Sequence, residues 1–359
     1  MSRSYVFLIH GVGKHDPDTW STPWKDGIIR ELKRYEPYKN VQQEVIEKDL
    51  IRFVPIGYDA IFEGYRNRWH DLAGALADNA VIKNPSVRKA LEWVAAPDGD
   101  DSKNKFFWEN VLDALLWQTF PEARAAVIAR VVKQCVDGIK EMMEENKGAD
   151  NAHFVAHSLG TSVLHDSLVS LALQKDLHEG AFDPSRFKWQ SVFMVANTSR
   201  LLQSSFDISN SGSPEDYKVY NSHLKPGGSK SLCRSYFNVR HRADPITWPR
   251  SFAPVDWPSV SYSDLETVNY DELKEVHDFN NYLANPLVHL TLIRKILGNN
   301  KIGSQEEVRL AVKEFQKEHN KTAGQEFSDL RDLLNGNFDR DLSTKELVEY
   351  LVRAYKELK

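Results

Sequence analysis

The residues around Ser158 are the strongest candidates for chemistry in this sequence. A β-type run, His153–Ala156, leads almost directly into the serine, and a helical pattern follows it. Small residues flank the serine at Ala156 and Gly160, as required where a strand and a helix pass too close for larger side chains. The pattern is that of a nucleophile elbow, with alanine at its first glycine position. A serine that only caps a turn or a helix is the alternative.

A second candidate is the glycine-rich turn His10–Gly13, which follows the apolar run Tyr5–Ile9. It is not a dinucleotide fingerprint, because Asp16 stands where the third glycine belongs. It is not a phosphate-binding P-loop either, because Leu8 occupies the place of that motif's first glycine. A turn of this kind can present backbone N–H groups to an anion, and Val12 is the predicted donor.

Together the two turns resemble the α/β-hydrolase family, in its lipase and esterase branch, over residues 5–297. In that family a His-Gly-x-Gly turn and a small-x-Ser-x-Gly elbow build the oxyanion hole. The resemblance implies that the N–H groups of Val12 and Leu159 hold an oxyanion. It also implies a set of residues that line or brace the pocket, namely His10, Gly11, Gly13 and His157.

The family's chain order, serine then acid then histidine, selects the remaining partners of Ser158. Asp244 follows a β-type run and lies in a proline turn, where the family carries its acid. Asp256 is the alternative acid. His277 precedes a helical pattern, at the family's histidine position, and is favoured over His289, which lies in an apolar stretch typical of a structural histidine.

The resemblance implies hydrolysis of carboxylic esters by a Ser-His-Asp triad through an acyl-enzyme. A hydrophobic or lipid-like substrate is expected, and neither a cofactor nor a metal ion. Thioesterase, peptidase and acyltransferase activities use the same machinery. Two further alternatives are a catalytically silent scaffold that binds a ligand or partner, and a phospholipase effector that acts on membranes.

The elements that must position these residues alternate along the chain. Five short β-type runs are separated mostly by helical patterns, which predicts an α/β fold with a doubly wound, mostly parallel sheet. The runs are Tyr5–Ile9, Ile51–Ile56, His153–Ala156, Ser191–Ala196 and Ser235–Val239. A crossover helix is predicted from Pro121, because apolar residues then recur every four positions, at Val127, Val131, Cys135 and Ile139.

Three regions of different character predict the domain organisation. Residues 1–58 and 121–298 form the α/β-hydrolase core, and the aromatic-rich segment 59–120 is predicted to be an inserted helical cap. Residues 299–359 are predicted to be a helical extension. Of the 59 residues from 301 to 359, 23 are charged. Capping boxes occur at Ser304 with Glu307 and at Ser343 with Glu346.

Composition narrows the class of protein. The 359 residues carry a net charge of −5, which argues against nucleic acid as the main partner. Cys135 and Cys233 lie outside any metal-ligand spacing, which favours a reducing compartment. Neither a signal peptide nor a run of about 18 apolar residues is visible. A cytoplasmic location is expected, with peripheral membrane contact left open and the oligomeric state undetermined.

Overall fold

The structure is a computed structural model of the chain. It describes residues 2–13, 15–77, 112–146, 151–173, 187–202, 224–228, 231–248, 251–254, 256–267, 276–298, 302 and 304–319.

Within the described residues, six strands form one sheet in which every neighbouring pair is parallel. The sheet order is β2-β1-β3-β4-β5-β6. The strands are β1 Ser4–Ile9, β2 Ile51–Ile56, β3 Ala152–His157, β4 Ser191–Val195, β5 Tyr236–His241 and β6 Tyr262–Thr267. Since β1 continues to β2 on one side and the chain then returns to β3 on the other, β1 and β3 flank the point where the direction of winding reverses.

Helices lie on both faces of the sheet, which is the arrangement expected for buried parallel strands. Three shorter helical segments are Gln43–Val45, Ile46–Leu50 and Pro245–Thr247. The longer helices are α1 Thr22–Leu32, α2 Asp59–Ala77, α3 Leu112–Thr119, α4 Pro121–Glu145, α5 Leu159–Leu173, α6 Phe279–Ala284, α7 Pro286–Leu297 and α8 Gln305–His319. The architecture is α/β and consistent with a doubly wound fold.

Strand β1 shows how the sheet separates two hydrophobic cores. Its side chains alternate between the faces: Tyr5, Phe7 and Ile9 pack with α2 to α5, whereas Val6 and Leu8 pack with α1, α6 and α7. All six residues of β1 are buried. A strand covered on both faces needs apolar residues at every position, which is why this run contains no alternation of polar and apolar residues.

The five predicted strands are confirmed to within two residues at their ends. The sixth strand, β6, is not predicted by the sequence, because its sequence Tyr-Ser-Asp-Leu-Glu-Thr contains no apolar run. It lies at the edge of the sheet, where charged residues pair across the strands instead. Arg240 on β5 forms ion pairs with Asp264 and Glu266 on β6.

The predicted crossover helix is confirmed as α4, which begins at Pro121 and ends at Glu145. Proline suits the first turn because its missing N–H would have no acceptor there. The four residues of the predicted apolar stripe are all buried. The helix packs against α5 and so forms part of the layer beside the candidate serine.

The predicted cap lies partly within the described residues, as helices α2 and α3. Phe62 on α2 and Trp117 on α3 are fully buried in the same core as β1. The ends of the insertion are therefore packed on the sheet. Four more of its aromatic residues, Trp93, Phe106, Phe107 and Trp108, lie outside the described residues, so a lid over the site stays a prediction.

The start of the predicted C-terminal extension is helical. Ser304 and Glu307 form the expected reciprocal capping contacts at the beginning of α8, with the Glu307 N–H donating to Ser304 Oγ and the Ser304 N–H to the Glu307 carboxylate. Ser343 and Glu346 lie outside the described residues. Among the helices of the described part, none combines the length and apolar character that crossing a membrane requires.

Buried histidines make the stability of this fold sensitive to acid. Burial lowers the pKa of His153, His157 and His165 to about 3. Between about pH 6.5 and 3, these three histidines are protonated in the unfolded chain but stay neutral in the folded protein. Asp113 acts in the opposite direction, because burial raises its pKa to about 7 and the folded state holds its proton. Near pH 5, unfolding therefore adds a proton to each of the three histidines and removes one from Asp113, which is a net uptake of about two protons.

We therefore expect the free energy of unfolding to fall steadily as the pH is lowered from 6.5 towards 4. Urea titrations at several pH values measure this slope. The His153→Gln variant is expected to reduce the slope by about one proton, because glutamine does not titrate. Glutamine can still hydrogen-bond to Ser191 Oγ, which lies 2.8 Å from His153 Nδ1. A free energy of unfolding that stays constant over this range would contradict the prediction.

Candidate active site

The turn at Ser158 has the backbone geometry of a strained elbow. Ser158 lies between the last residue of β3 and the first residue of α5, with a φ of 54°, in the left-handed region. Such a conformation costs a non-glycine residue about 1–3 kcal/mol, which the surrounding structure must supply. Its surroundings do so: the Ser158 carbonyl accepts hydrogen bonds from the hydroxyls of Thr161 (2.6 Å) and Thr198 (2.8 Å). The Ser158 N–H donates to the carbonyl of Val195.

The requirement for small residues beside Ser158 has a direct cause at Gly160. A Cβ atom at this position would lie 2.2 Å from the carbonyl oxygen of His10, far inside van der Waals contact. The α5 backbone therefore touches the turn that follows β1. At the other flank, Ala156 is fully buried, and the structure accommodates its methyl group.

Three residues from distant parts of the chain form a hydrogen-bond chain at this elbow. His277 Nε2 lies 2.9 Å from Ser158 Oγ, and His277 Nδ1 lies 2.7 Å from Asp244 Oδ2. Ser158 is 2% exposed and Asp244 is fully buried, so these two hydrogen bonds are largely shielded from water. The structure thus brings together the serine, histidine and acid selected from the sequence.

Asp244 is held as a carboxylate by several donors. Its Oδ1 accepts from the Ile246 N–H (3.0 Å), and its Oδ2 accepts from the Tyr282 hydroxyl (2.6 Å) as well as from His277. Burial alone would raise the pKa of Asp244, but the imidazole of His277 and these hydrogen bonds lower it below its usual value. Tyr282 is a member of the site that the sequence does not single out.

His157 braces the loop that carries His277. Its Nε2 lies 2.7 Å from the His277 carbonyl oxygen, which can only accept, so Nε2 is the protonated nitrogen. The two rings are 4.9 Å apart between centroids. This position agrees with the expectation that His157 lines or braces the site.

The two alternative residues lie elsewhere. Asp256 forms an ion pair with Lys225 at the surface, where its side chain is 55% exposed. His289 is buried in α7, between the Tyr35 hydroxyl at 2.8 Å and the Leu283 carbonyl at 2.9 Å. Both ring nitrogens are used in the core, which is the structural role expected of a histidine in an apolar stretch.

The glycine-rich turn lies against the elbow. A Cβ atom on Gly11 would lie 2.7 Å from Ser158 Cβ, so the backbone here passes directly beside the serine. The Tyr58 hydroxyl lies within hydrogen-bond distance of the carbonyls of His10 (2.7 Å) and Gly11 (3.0 Å). Among the described residues, no acceptor is bonded to the N–H of Val12, nor to that of Leu159. Their use as oxyanion donors stays a prediction.

The buried carboxyl of Asp113 supports the end of this turn. The Gly13 N–H donates to Asp113 Oδ2 (3.3 Å), and Arg66 donates to Asp113 Oδ1 (2.6 Å). Burial is the main reason why the pKa of Asp113 is raised, and Arg66 and the Gly13 N–H act against it. Arg66 lies on α2 and Asp113 on α3, so both ends of the predicted cap contribute to positioning the turn.

The comparisons with known proteins do not name a family for this arrangement. Protein-family models, curated proteins and solved structures were each compared with the chain, and no match was found in any of the three.

Proposed function

We propose that this protein is a serine hydrolase that cleaves carboxylic esters through an acyl-enzyme on Ser158. The observation that carries the proposal is the continuous chain from Ser158 Oγ through the His277 imidazole to Asp244, with both links at 2.7–2.9 Å. A nucleophile, a base within hydrogen-bond reach and a third group that orients the base are the signature of an activated serine.

The proposed mechanism uses the two nitrogens of His277 differently. Because the Asp244 carboxylate can only accept, the proton of a neutral imidazole lies on Nδ1, and the lone pair on Nε2 faces Ser158 Oγ. Nε2 then takes the Ser158 proton as Oγ attacks the ester carbonyl carbon, and later donates it to the leaving alcohol. Water hydrolyses the acyl-enzyme by the same route. Asp244 stabilises the imidazolium at each step.

The negative charge that develops on the carbonyl oxygen requires donors beside Ser158. The N–H groups of Val12 and Leu159 are proposed for this role, because the two segments that carry them touch at Gly11 and Gly160. Donors held rigidly before the reaction begins need no reorganisation when the charge appears, which makes them effective.

The location of the site supports an α/β-hydrolase fold. Ser158 follows the carboxyl end of β3 and the glycine-rich turn follows the carboxyl end of β1, the neighbouring strand. In open parallel sheets, ligands bind outside the carboxyl ends of the strands where the winding reverses, and β1 and β3 flank that point here. A hydrophobic acyl group is the proposed substrate class. It rests on the aromatic character of the 59–120 insertion.

Labelling with a fluorophosphonate probe, followed by peptide mapping, tests the proposal. We expect the native protein to be labelled at Ser158 and the Ser158→Ala variant to remain unlabelled. Ser167→Ala is a matched control, because Ser167 is a buried serine too, on α5, and its hydroxyl has no hydrogen-bond partner among the described residues. This control should be labelled like the native protein. Absence of labelling in the folded protein would favour a silent binding scaffold.

A further inference from the structure

A second group of chemically reactive side chains lies behind the glycine-rich turn and takes no part in the proposed hydrolysis. It consists of His10, which follows β1, His15, and Asp59, the first residue of α2. One donor atom from each residue lies within 4.8 Å of the other two. His10 and Asp59 are largely buried, and the side chain of His15 is 26% exposed.

The hydrogen bonding of His10 leaves one nitrogen available. Its Nδ1 lies 2.9 Å from the Gly11 carbonyl oxygen, which can only accept, so the proton is on Nδ1. Its Nε2 is buried and lies 2.7 Å from Asp59 Oδ2, but the alignment is not that of a hydrogen bond. With its proton on Nδ1, His10 carries the lone pair on Nε2, next to the Asp59 carboxylate, where a cation could receive both donors.

The other two residues converge on the same place. His15 Nδ1 lies 3.2 Å from Asp59 Oδ1 and 3.1 Å from the Gly13 carbonyl oxygen, so a metal ion would displace the proton that Nδ1 shares with this carbonyl. The His15 ring lies beside His10, with centroids 4.0 Å apart and planes tilted by 33°. His10 also stacks on Tyr58 with ring centroids 4.5 Å apart, which holds its ring in place. His10 is thus fixed, whereas the partly exposed His15 can adjust and leaves a route from solvent.

We propose that His10, His15 and Asp59 form a binding site for a divalent metal ion of the zinc class. Two imidazoles and one carboxylate are a donor set that zinc uses in proteins, with water completing the coordination. Zinc ligands lie at about 2.0–2.2 Å from the ion, so their donor atoms are about 3.4 Å apart in a tetrahedral site. The donor atoms of the cluster now lie within 4.8 Å of one another, so all three side chains would have to adjust to bind the ion. The ion would tie the end of β1 to the beginning of α2.

Zinc titration of the metal-free protein, in competition with a chromophoric chelator, tests the site without any measurement of hydrolysis. We expect one equivalent of Zn²⁺ to bind and to raise the Tm. His15→Ala and Asp59→Asn should each weaken binding by at least about 100-fold, since loss of even an outer partner of a zinc ligand costs about 10–100-fold. Ser158→Ala should bind zinc like the native protein, so the test is independent of the proposed function.

His70→Ala is the matched control for these variants. His70 lies on α2 with its side chain 42% exposed, and it contacts Asp71 at 3.5 Å. This variant should keep the native zinc affinity. Circular dichroism establishes that each variant is folded, and the partly exposed His15 is the position best suited to substitution. If no stoichiometric zinc binding occurs, or if native affinity persists in both His15→Ala and Asp59→Asn, the cluster has only a structural role and the proposal is wrong.

Discussion

Ser158→Ala is expected to lower the kcat of ester hydrolysis by about 10⁶-fold, because a serine, its base and the orienting acid act as a unit. The variant retains His277 and Asp244, but it has no atom that can form the acyl-enzyme. Steady-state kinetics on aryl esters of increasing chain length measure the effect and also define the preferred acyl group. The elbow itself should persist, because the Ser158 carbonyl and N–H are held by backbone and threonine contacts that do not involve Oγ.

The Ser167→Ala control should retain the native kcat, since this serine makes no hydrogen bond to the site in the described part of the chain. If Ser158→Ala kept more than a small fraction of the native rate, the nucleophile would have to be another residue. The hydrogen-bond chain at the elbow would then have a purely structural role.

The second large effect is expected for Asp244→Asn, at about 10⁴-fold in kcat. The Asp244 Oδ1 atom accepts from the Ile246 N–H, so the amide oxygen of an asparagine would take that position and its NH₂ group would face His277. His277 Nδ1 would then have to accept, and the proton would move to Nε2. An Nε2–H cannot remove the proton of Ser158.

Asp256→Asn provides the comparison for this variant. Asp256 was the alternative acid in the sequence, but its carboxylate pairs with Lys225 at the surface, whereas Asp244 contacts His277. We expect its substitution to leave kcat unchanged. The opposite pattern, a loss of rate with Asp256→Asn and near-native activity with Asp244→Asn, would reassign the acid.

Most of the sheet is predictable because burial on both faces leaves a strong local signal. Strands β1 and β3 consist almost wholly of buried residues, and helix α4 carries its apolar stripe at regular spacing. Strand β6 carries no such signal. It pairs with β5 and forms ion pairs with Arg240 on β5 and with Arg242, which follows it, and contacts between residues more than 20 positions apart cannot be recognised from local composition.

In the candidate site, too, residues that stand in local motifs can be predicted, and residues that act through tertiary contacts cannot. Ser158 and the turn at His10–Gly13 stand in motifs whose spacing can be recognised, and the order along the chain then selects Asp244 and His277. Tyr282 and Asp113 were missed because neither lies in a motif: each acts through a tertiary contact with a residue 38 or 100 positions away. Supporting residues of this kind become visible only after the fold brings distant segments together.

The close approach of Gly160 to the His10 carbonyl has a consequence for protein engineering. The segments 10–13 and 156–160 set each other's positions by direct backbone contact, so a larger residue in one would displace the other. Random mutagenesis of these nine positions is therefore expected to yield mostly inactive proteins. A library intended to alter acyl-chain preference should therefore leave both turns unchanged.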